Sequence, residues 1–418
     1  MTAALCAVAY LPSLGLPFIS DDYLQIMLGR KYGPVESWSS LAGDALYRCR
    51  ATSIVLTWWL EQWFGAHALI FKLVSLGIHI FNTWLVFALG VWKPVGWRLS
   101  AVAAAFFAIY EGHQEAVIWF AAVPELLVFF FSLASLLVWV LWIQDSCKGW
   151  LKPTGALLLF LLALLSKEPA VVLPALFLLT ALVHRDQWRP IFSAFMVMIA
   201  VAGIYTFLIF AAKTNHLHFN DGTFSLAAPF LLTLANSTIR MLWFWGALSL
   251  MVILLIRPQQ WRVILAVAGA WVLITFLPYS FLTYMTRVPS RHTYFASAAL
   301  SIVVGLAFLT LLDRFRQQRR WLSALLVTMV IAHNCGYLWI KKQDQYLARA
   351  EPTQRLIQLG RSHTGPIRVR CFPYGGEVAV TALQVQTGRQ ASEVIIGEDA
   401  GDGGSKDTVT DFCYDRMP

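Results

Sequence analysis

The chain has 418 residues, is 58% hydrophobic and 13% charged, and has a mean hydropathy of +0.62 with a formal net charge of +9. Soluble domains carry roughly 25% charged residues, so composition excludes an ordinary soluble globular protein. Long apolar runs recur up to Ile340 and lack the alternating segments of roughly 10 residues that a membrane barrel needs, which predicts an all-α polytopic membrane protein.

Eleven apolar helices are predicted, over residues 3–20, 68–90, 98–111, 118–143, 154–166, 168–184, 190–211, 237–256, 262–280, 293–312 and 321–340. The third, fifth and sixth fall short of the roughly 20 residues of a comfortable span. The first run has no basic leader and holds Pro12 and Pro17, so it reads as a short span and not as a secretory signal. After it, "TSIVLTWWLEQWFGAHALIF" is amphipathic, and Trp58, Trp59 and Trp63 suit a helix at headgroup level. A second interfacial helix is expected within residues 212–236. Residues 1–340 thus read as a transmembrane domain and 341–418 as a small extracytoplasmic tail of mixed α/β character. In that tail, "WIKKQDQYLARAEPTQRLIQLGR" reads as a helix, while "PIRVRCFPYGG", "EVAVTALQVQT" and "SEVIIGED" are strand candidates. The Gly- and Asp-rich end is expected to be loose.

With the N-terminus in the cytoplasm and alternating spans, the inner loops hold Lys93, Arg98, Lys148, Lys152, Arg185, Arg189, Arg257, Arg262, Arg314, Arg316, Arg319 and Arg320. They carry only Asp145, Asp186 and Asp313 on the acidic side. That bias is the positive-inside rule, so the basic charge reflects topology and gives no reason to invoke nucleic acid. The same orientation places the chemistry-bearing groups of the other loops on the outer face.

Asp21 and Asp22 close the first run in "GLPFISDDYLQIMLGR". Neighbouring helical side chains diverge by about 100°, so one carboxylate can face a cavity while the other holds the loop. Plain helix capping explains them equally well. "FFAIYEGHQEAVIWF" sets Glu111, His113 and Glu115 between two apolar helices, with Glu125 further in. Charges at membrane depth usually face a cavity or a partner. In "LLALLSKEPAVVLPALF", Glu168 fits a tight hairpin, but Lys167 needs an anion, for which a phosphate would serve. "YMTRVPSRHTYFASAAL" places Arg287, Arg291 and Tyr294 before the tenth span, where phosphate recognition competes with ordinary snorkelling. His79 in the second span is either functional or a helix–helix hydrogen bond. His216 and His218 are weak as metal ligands, and no metal site is predicted. The six cysteines show no CxxC pair, and pairing of Cys371 with Cys413 in the outer tail is left open. No nucleotide-binding fingerprint is present.

In this order the motifs resemble the multi-spanning type C glycosyltransferases (GT-C). The closest resemblance is to the branch of protein O-mannosyltransferases and their tetratricopeptide-bearing relatives, as a bacterial-type member without the repeats. The acidic pair, "LVSLGIHIFN" with His79 and Asn82, "IYEGHQEAV", "LLALLSKEP" and "SRHTYFAS" carry that resemblance across residues 15–300. Tyr110-Glu111 replaces the family's His-Pro, Val123 stands where relatives often have Arg, and Ser290 replaces an acidic residue.

The resemblance implies sugar transfer from a polyprenyl- or dolichyl-phosphate donor to an acceptor hydroxyl on the extracytoplasmic face, with inversion. Asp21 would be the base, Asp22 and Glu115 would organise the site, and His113 would bind substrate. Lys167, Arg287 and Arg291 would meet the donor phosphate, with Glu168, Tyr294 and His79 close by. No cofactor is implied beyond the lipid-linked sugar itself, and a divalent-metal requirement is left open. The acceptor is a protein, lipid or glycan, and the location expected is the bacterial inner membrane with its site on the periplasmic or outer side. A glycolipid transporter or flippase, or an inactive envelope-assembly scaffold, would use the same inventory.

Overall fold

A computed structural model describes residues 1–34, 39–182, 188–213, 216–283, 286–397 and 409–414. Arg185, Asp186 and most of the expected loose end lie outside those residues. The chain opens with α1 (Thr2–Tyr10), extended by a 3-10 turn to Gly15. Residues 16–19 are extended, and Lys72 holds them by donating to the carbonyls of Leu16 at 2.8 Å and Pro17 at 2.9 Å. Next come α2 (Asp22–Tyr32), the short α3 (Ser40–Gly43) and α4 (Ala45–Arg48), and α5 (Ala51–Phe64). Helix α5 carries the exposed Trp59 and Trp63 anticipated for the interface.

The bundle follows. Its first half is α6 (Ala68–Ala88), α7 (Gly96–Ile109), the one-turn α8 (Gln114–Ile118), α9 (Val123–Gln144), α10 (Leu151–Leu164) and α11 (Leu173–Ala181). Its second half is α12 (Trp188–Ala211), α13 (Leu217–Asn220), α14 (Phe230–Leu242), α15 (Trp245–Ile256), α16 (Trp261–Phe276), α17 (Ser297–Arg314) and α18 (Arg319–Gly336). Helix α9 is apolar on every side and is the most enclosed of the long helices, with Pro124 in its first turn, where its missing N–H costs nothing. Helices α7 and α17 approach closely because Gly305 leaves room: a Cβ there would stand 3.1 Å from Leu99 Cδ1 and 3.2 Å from the Ala103 nitrogen.

Among the described residues, six helices are long and apolar enough to cross a membrane. The chain is accordingly a helical membrane protein. Each of the eleven predicted runs overlaps a helix, but Thr2–Gly15, Gly96–Ile109, Leu151–Leu164 and Glu168–Ala181, with their 3-10 turns included, have only 10–17 residues. At 14 residues, α7 and α10 reach about 21 Å against a hydrocarbon core of about 30 Å. The eighth predicted run, expected as one helix over 237–256, is instead α14 and α15 bent by 79° at Trp243–Phe244.

Helix α18 continues through a π-helical turn, Tyr337–Lys342, into α19 (Gln343–Ser362). A three-stranded parallel sheet follows, with β1 (Ile367–Arg370) between β2 (Val394–Ile396) and β3 (Thr410–Cys413). Ile367 pairs with Val394 on one side and Thr410 on the other. "EVAVTALQVQT" is α20 (Gly376–Thr387) and not the expected strand. Its buried Val378, Ala379, Ala382 and Leu383 form a single helical face, and parallel β1 and β2 need a crossover of that kind. Cys371 and Cys413 form a disulfide that ties β1 to β3. Ala382 and Ile357 pack with Tyr23 and Ile26, so the tail rests on α2, the helix that follows the acidic pair.

Candidate active site

The site is organised around a 3-10 turn, Ser290–Thr293, ahead of α17. Three residues per turn put positions 290 and 293 on one face and send 291 and 292 elsewhere. Ser290 and Thr293 line a cavity of about 1130 Å³, and His292 lines a second one of about 320 Å³. Arg291 turns toward the acidic pair.

The two aspartates have different surroundings. Asp22 is fully buried; its Oδ2 accepts the Ile19 N–H at 2.9 Å and its Oδ1 the Ala121 N–H at 2.8 Å. Burial pushes its carboxyl up to about 6, against the pull of Lys72 and those two N–H groups. Both oxygens are committed, so Asp22 fastens α2 to the start of α9. Asp21 is half-buried at the N-cap position and makes no capping bond. Burial raises its carboxyl as well, while the guanidiniums of Arg349 and Arg291 pull it back. Of the pair, Asp21 is the carboxylate facing the two arginines.

Those two arginines share a platform. Arg291 lies 5.0 Å and Arg349 4.8 Å from the centre of the Trp119 ring. Glu115 accepts the Arg291 backbone N–H at 3.1 Å and stands 3.6 Å from its guanidinium. Asp21, Glu115 and Arg291 therefore come together, while Lys167 lies apart from them. Arg349 and Trp119 were missed in the sequence. Arg349 sits in α19, inside the segment read as tail, and no local pattern marks it.

Lys167 does not wait for a phosphate: its partner is Glu125, in a buried ion pair. Glu125 also accepts the Tyr279 hydroxyl at 2.6 Å and meets His292 Nδ1 at 2.5 Å. Glu168 is held by Arg50 at 2.8 Å and by His216 Nε2 at 3.0 Å. Nearby in sequence, Arg48 is buried, and its guanidinium has no hydrogen-bond partner among the described residues. An unpaired buried guanidinium is costly, so it marks a place where an anion is welcome. The donor atoms of Cys49, Glu168 and His216 lie within 4.8 Å of one another, close enough to share a metal ion. Arg50 already compensates Glu168, and burial pushes the Cys49 thiol up to about 12, so the trio fits an ion-pair cluster better than a cation site.

His79, His113 and Tyr294 are fully or almost fully buried and belong to the helix core. His79 Nε2 donates to the Ala108 carbonyl at 3.1 Å, which leaves Nδ1 to accept the Tyr294 hydroxyl at 2.7 Å. Asn82 donates to the same hydroxyl at 3.2 Å, and His113 Nε2 meets Ser297 at 2.6 Å. Their role is to position: this network anchors α17, and through it the 290–293 turn. Arg287 lines the larger cavity and Lys167 the smaller, so the three cations expected on one phosphate are divided.

No family profile and no curated protein matches the chain. Solved structures do share its fold. ArnT from Cupriavidus metallidurans bound to undecaprenyl phosphate superposes with a TM-score of 0.57 at 12% identity, covering 95% of this chain and 85% of that one. The oligosaccharyltransferase of Archaeoglobus fulgidus, in complex with Zn and sulfate, gives 0.53 at 10% identity over 95% of this chain and 62% of that one. The same archaeal enzyme, AglB, with an inhibitory peptide and a dolichol-phosphate gives 0.53 at 10% identity, over 92% and 64%. This chain thus spans less than two thirds of the oligosaccharyltransferase. At these identities the likeness is one of fold.

Proposed function

We propose that the protein is a GT-C-type glycosyltransferase that moves a sugar from a polyprenyl-phosphate donor to an acceptor hydroxyl on the extracytoplasmic face, with inversion. The observation that carries this reading is Asp21: a half-buried carboxylate beside Arg291 and Arg349, in a fold shared with proteins solved with undecaprenyl phosphate and dolichol-phosphate. The acceptor oxygen attacks the anomeric carbon, and its proton passes to Asp21. The bond from that carbon to the phosphate oxygen breaks, and the electron pair leaves with the polyprenyl phosphate. The smaller cavity suits the donor. It offers Lys167, whose ammonium has N–H groups beyond the one given to Glu125, and apolar walls from Phe210, Phe219 and Leu277 for isoprenoid chain.

In this reading residues 1–340 form the transferase domain, all eleven runs cross or enter the bilayer, and 341–418 cap the outer face. A bacterial inner membrane with a periplasmic site fits the charge bias. The test is a reconstituted assay with a panel of polyprenyl-phosphate sugars, mannose included, and native membrane acceptors. Asp21→Asn should insert and fold yet lose transfer by at least about 100-fold, the lower range for a general base. Full transfer by that variant would remove Asp21 from the role. The bent α14–α15 pair favours a second reading as a glycolipid transporter, since broken helices line transport sites. Movement of a lipid-linked sugar across liposomes with no bond formed would support it.

A further inference from the structure

The larger cavity has a composition of its own. Arg240 and Arg287 are exposed on its walls, and Glu111 with His333, 3.3 Å apart, is its one acid–base pair among the described residues. The Arg240 guanidinium spends one N–H on the Val288 carbonyl at 3.2 Å, which leaves the others to a ligand. His333 Nδ1 accepts the Trp245 indole N–H at 3.3 Å and so gives Glu111 no proton, but two arginines against that single carboxylate still leave the space net positive. Gln114 gives one amide N–H to Ser290 at 2.8 Å and accepts the Tyr346 hydroxyl, and Thr293 gives its hydroxyl to the Ser290 carbonyl at 2.7 Å. The second Gln114 N–H and the Ser290 hydroxyl proton are left to a ligand, while Tyr110 and Tyr337 supply aromatic faces. That pairing of rings with hydroxyl and amide groups suits a sugar. At about 1130 Å³ the cavity exceeds the roughly 300–1,000 Å³ usual for a single small ligand.

One side of it is apolar and open. The bend between α14 and α15 places Trp243, 77% exposed, and Ile239, 64% exposed, at the cavity wall, where a lipid chain could lie between protein and bilayer. Sterics at the bend are tight, because a Cβ on Gly246 would stand 2.8 Å from Leu242 Cδ2.

We propose that this cavity is a second substrate site, distinct from the one lined by Lys167, and that it takes an anionic amphiphile with a sugar-sized head. Arg240 and Arg287 hold the phosphate or carboxylate, and the aromatic and amide walls hold the head. That the occupant is the acceptor rests on the transferase reading above; that it binds does not. Ser290 and Thr293 then touch this ligand from the same turn whose Arg291 faces Asp21 and whose His292 faces the other cavity.

The test is native mass spectrometry of the full chain in detergent, with lactosylceramide, its sialylated form and phosphatidic acid as probes. The expected result is at least a ten-fold preference for an anionic probe over lactosylceramide. It should be abolished in Arg240→Gln/Arg287→Gln and kept in Lys93→Gln, an exposed cation that lines neither cavity, and the anionic probe that is retained better assigns carboxylate or phosphate. Arg287→Gln alone, at an exposed position, guards against misfolding of the double variant and should cut the preference at least three-fold. Absence of any preference, a preference that survives the double variant, or one lost equally in Lys93→Gln overturns the proposal. An Asp21→Asn protein that still transfers sugar would overturn the transferase reading and leave this binding result intact.

Discussion

At the scale of single residues, the two aspartates separate by what surrounds them. Asp21 must be ionised to act as a base, and burial holds its carboxyl above the ordinary value while Arg349 and Arg291 oppose that rise. Transfer should therefore fall on acidification through a pKa above 3.8, and Arg349→Gln, by removing a lowering charge, should move that acid limb to higher pH. Arg349→Lys should restore most of the shift but not the stacking on Trp119; a pH–rate profile unmoved in Arg349→Gln would sink the assignment. Asp22→Asn keeps one acceptor oxygen and turns an amide toward the other backbone N–H. The loss expected is about 1–3 kcal/mol, read as a lower thermal midpoint in detergent. Glu125 carries the heaviest load, with Lys167, Tyr279 and His292 all on one carboxylate. Glu125→Gln leaves a buried ammonium without its counter-charge and should cost about 3–5 kcal/mol. Glu125 was visible in the sequence as a charge inside an apolar run, but its partner Lys167 lies 42 residues away, and nothing local joins them.

At the scale of elements, each apolar run read from the sequence overlaps a helix and six of those helices are long enough to span, because an uninterrupted greasy stretch needs no partner to be recognised. It failed where a neighbour decides the conformation. "EVAVTALQVQT" alternates weakly enough to pass for a strand, and it becomes α20 because its apolar face is covered by α19 and β1. The α14–α15 break carries no proline between Phe230 and Ile256, so composition alone could not place it. Gly246 permits the close approach at that bend. Gly246→Ala should cost about 1–3 kcal/mol through overpacking against Leu242, seen as a lower unfolding temperature, and should weaken retention of an anionic amphiphile by the larger cavity.

At the scale of the whole molecule, the tail and the membrane bundle meet at the acidic pair. Gln354 donates to the Tyr23 hydroxyl at 3.2 Å, and Arg349 reaches Trp119, so α19 completes a site that begins at residue 21. The Cys371–Cys413 disulfide closes a loop of 42 residues and should contribute about 2–4 kcal/mol to the tail. Cys413→Ser should release β3, raise proteolysis near residue 410 and weaken transfer through displacement of α19. Unchanged proteolysis and transfer would show that the tail does not depend on this link.

Membrane residence, the apolar runs and the list of charged groups set among them were legible from one chain, because each is a local or compositional property. Asp21, Glu115 and Arg291 were on that list, and folding brings them together. What only tertiary structure decided was which charge meets which. Lys167 went to Glu125, Glu168 to Arg50 and His216, and Arg287 to a cavity apart from Lys167. Buried charges must be paired wherever the fold brings an opposite one, and that choice depends on contacts across more than 40 residues of sequence. In "GLPFISDDYLQIMLGR" the sequence shows two equal carboxylates; Ala121, 99 residues on, takes one of them and leaves the other to the site.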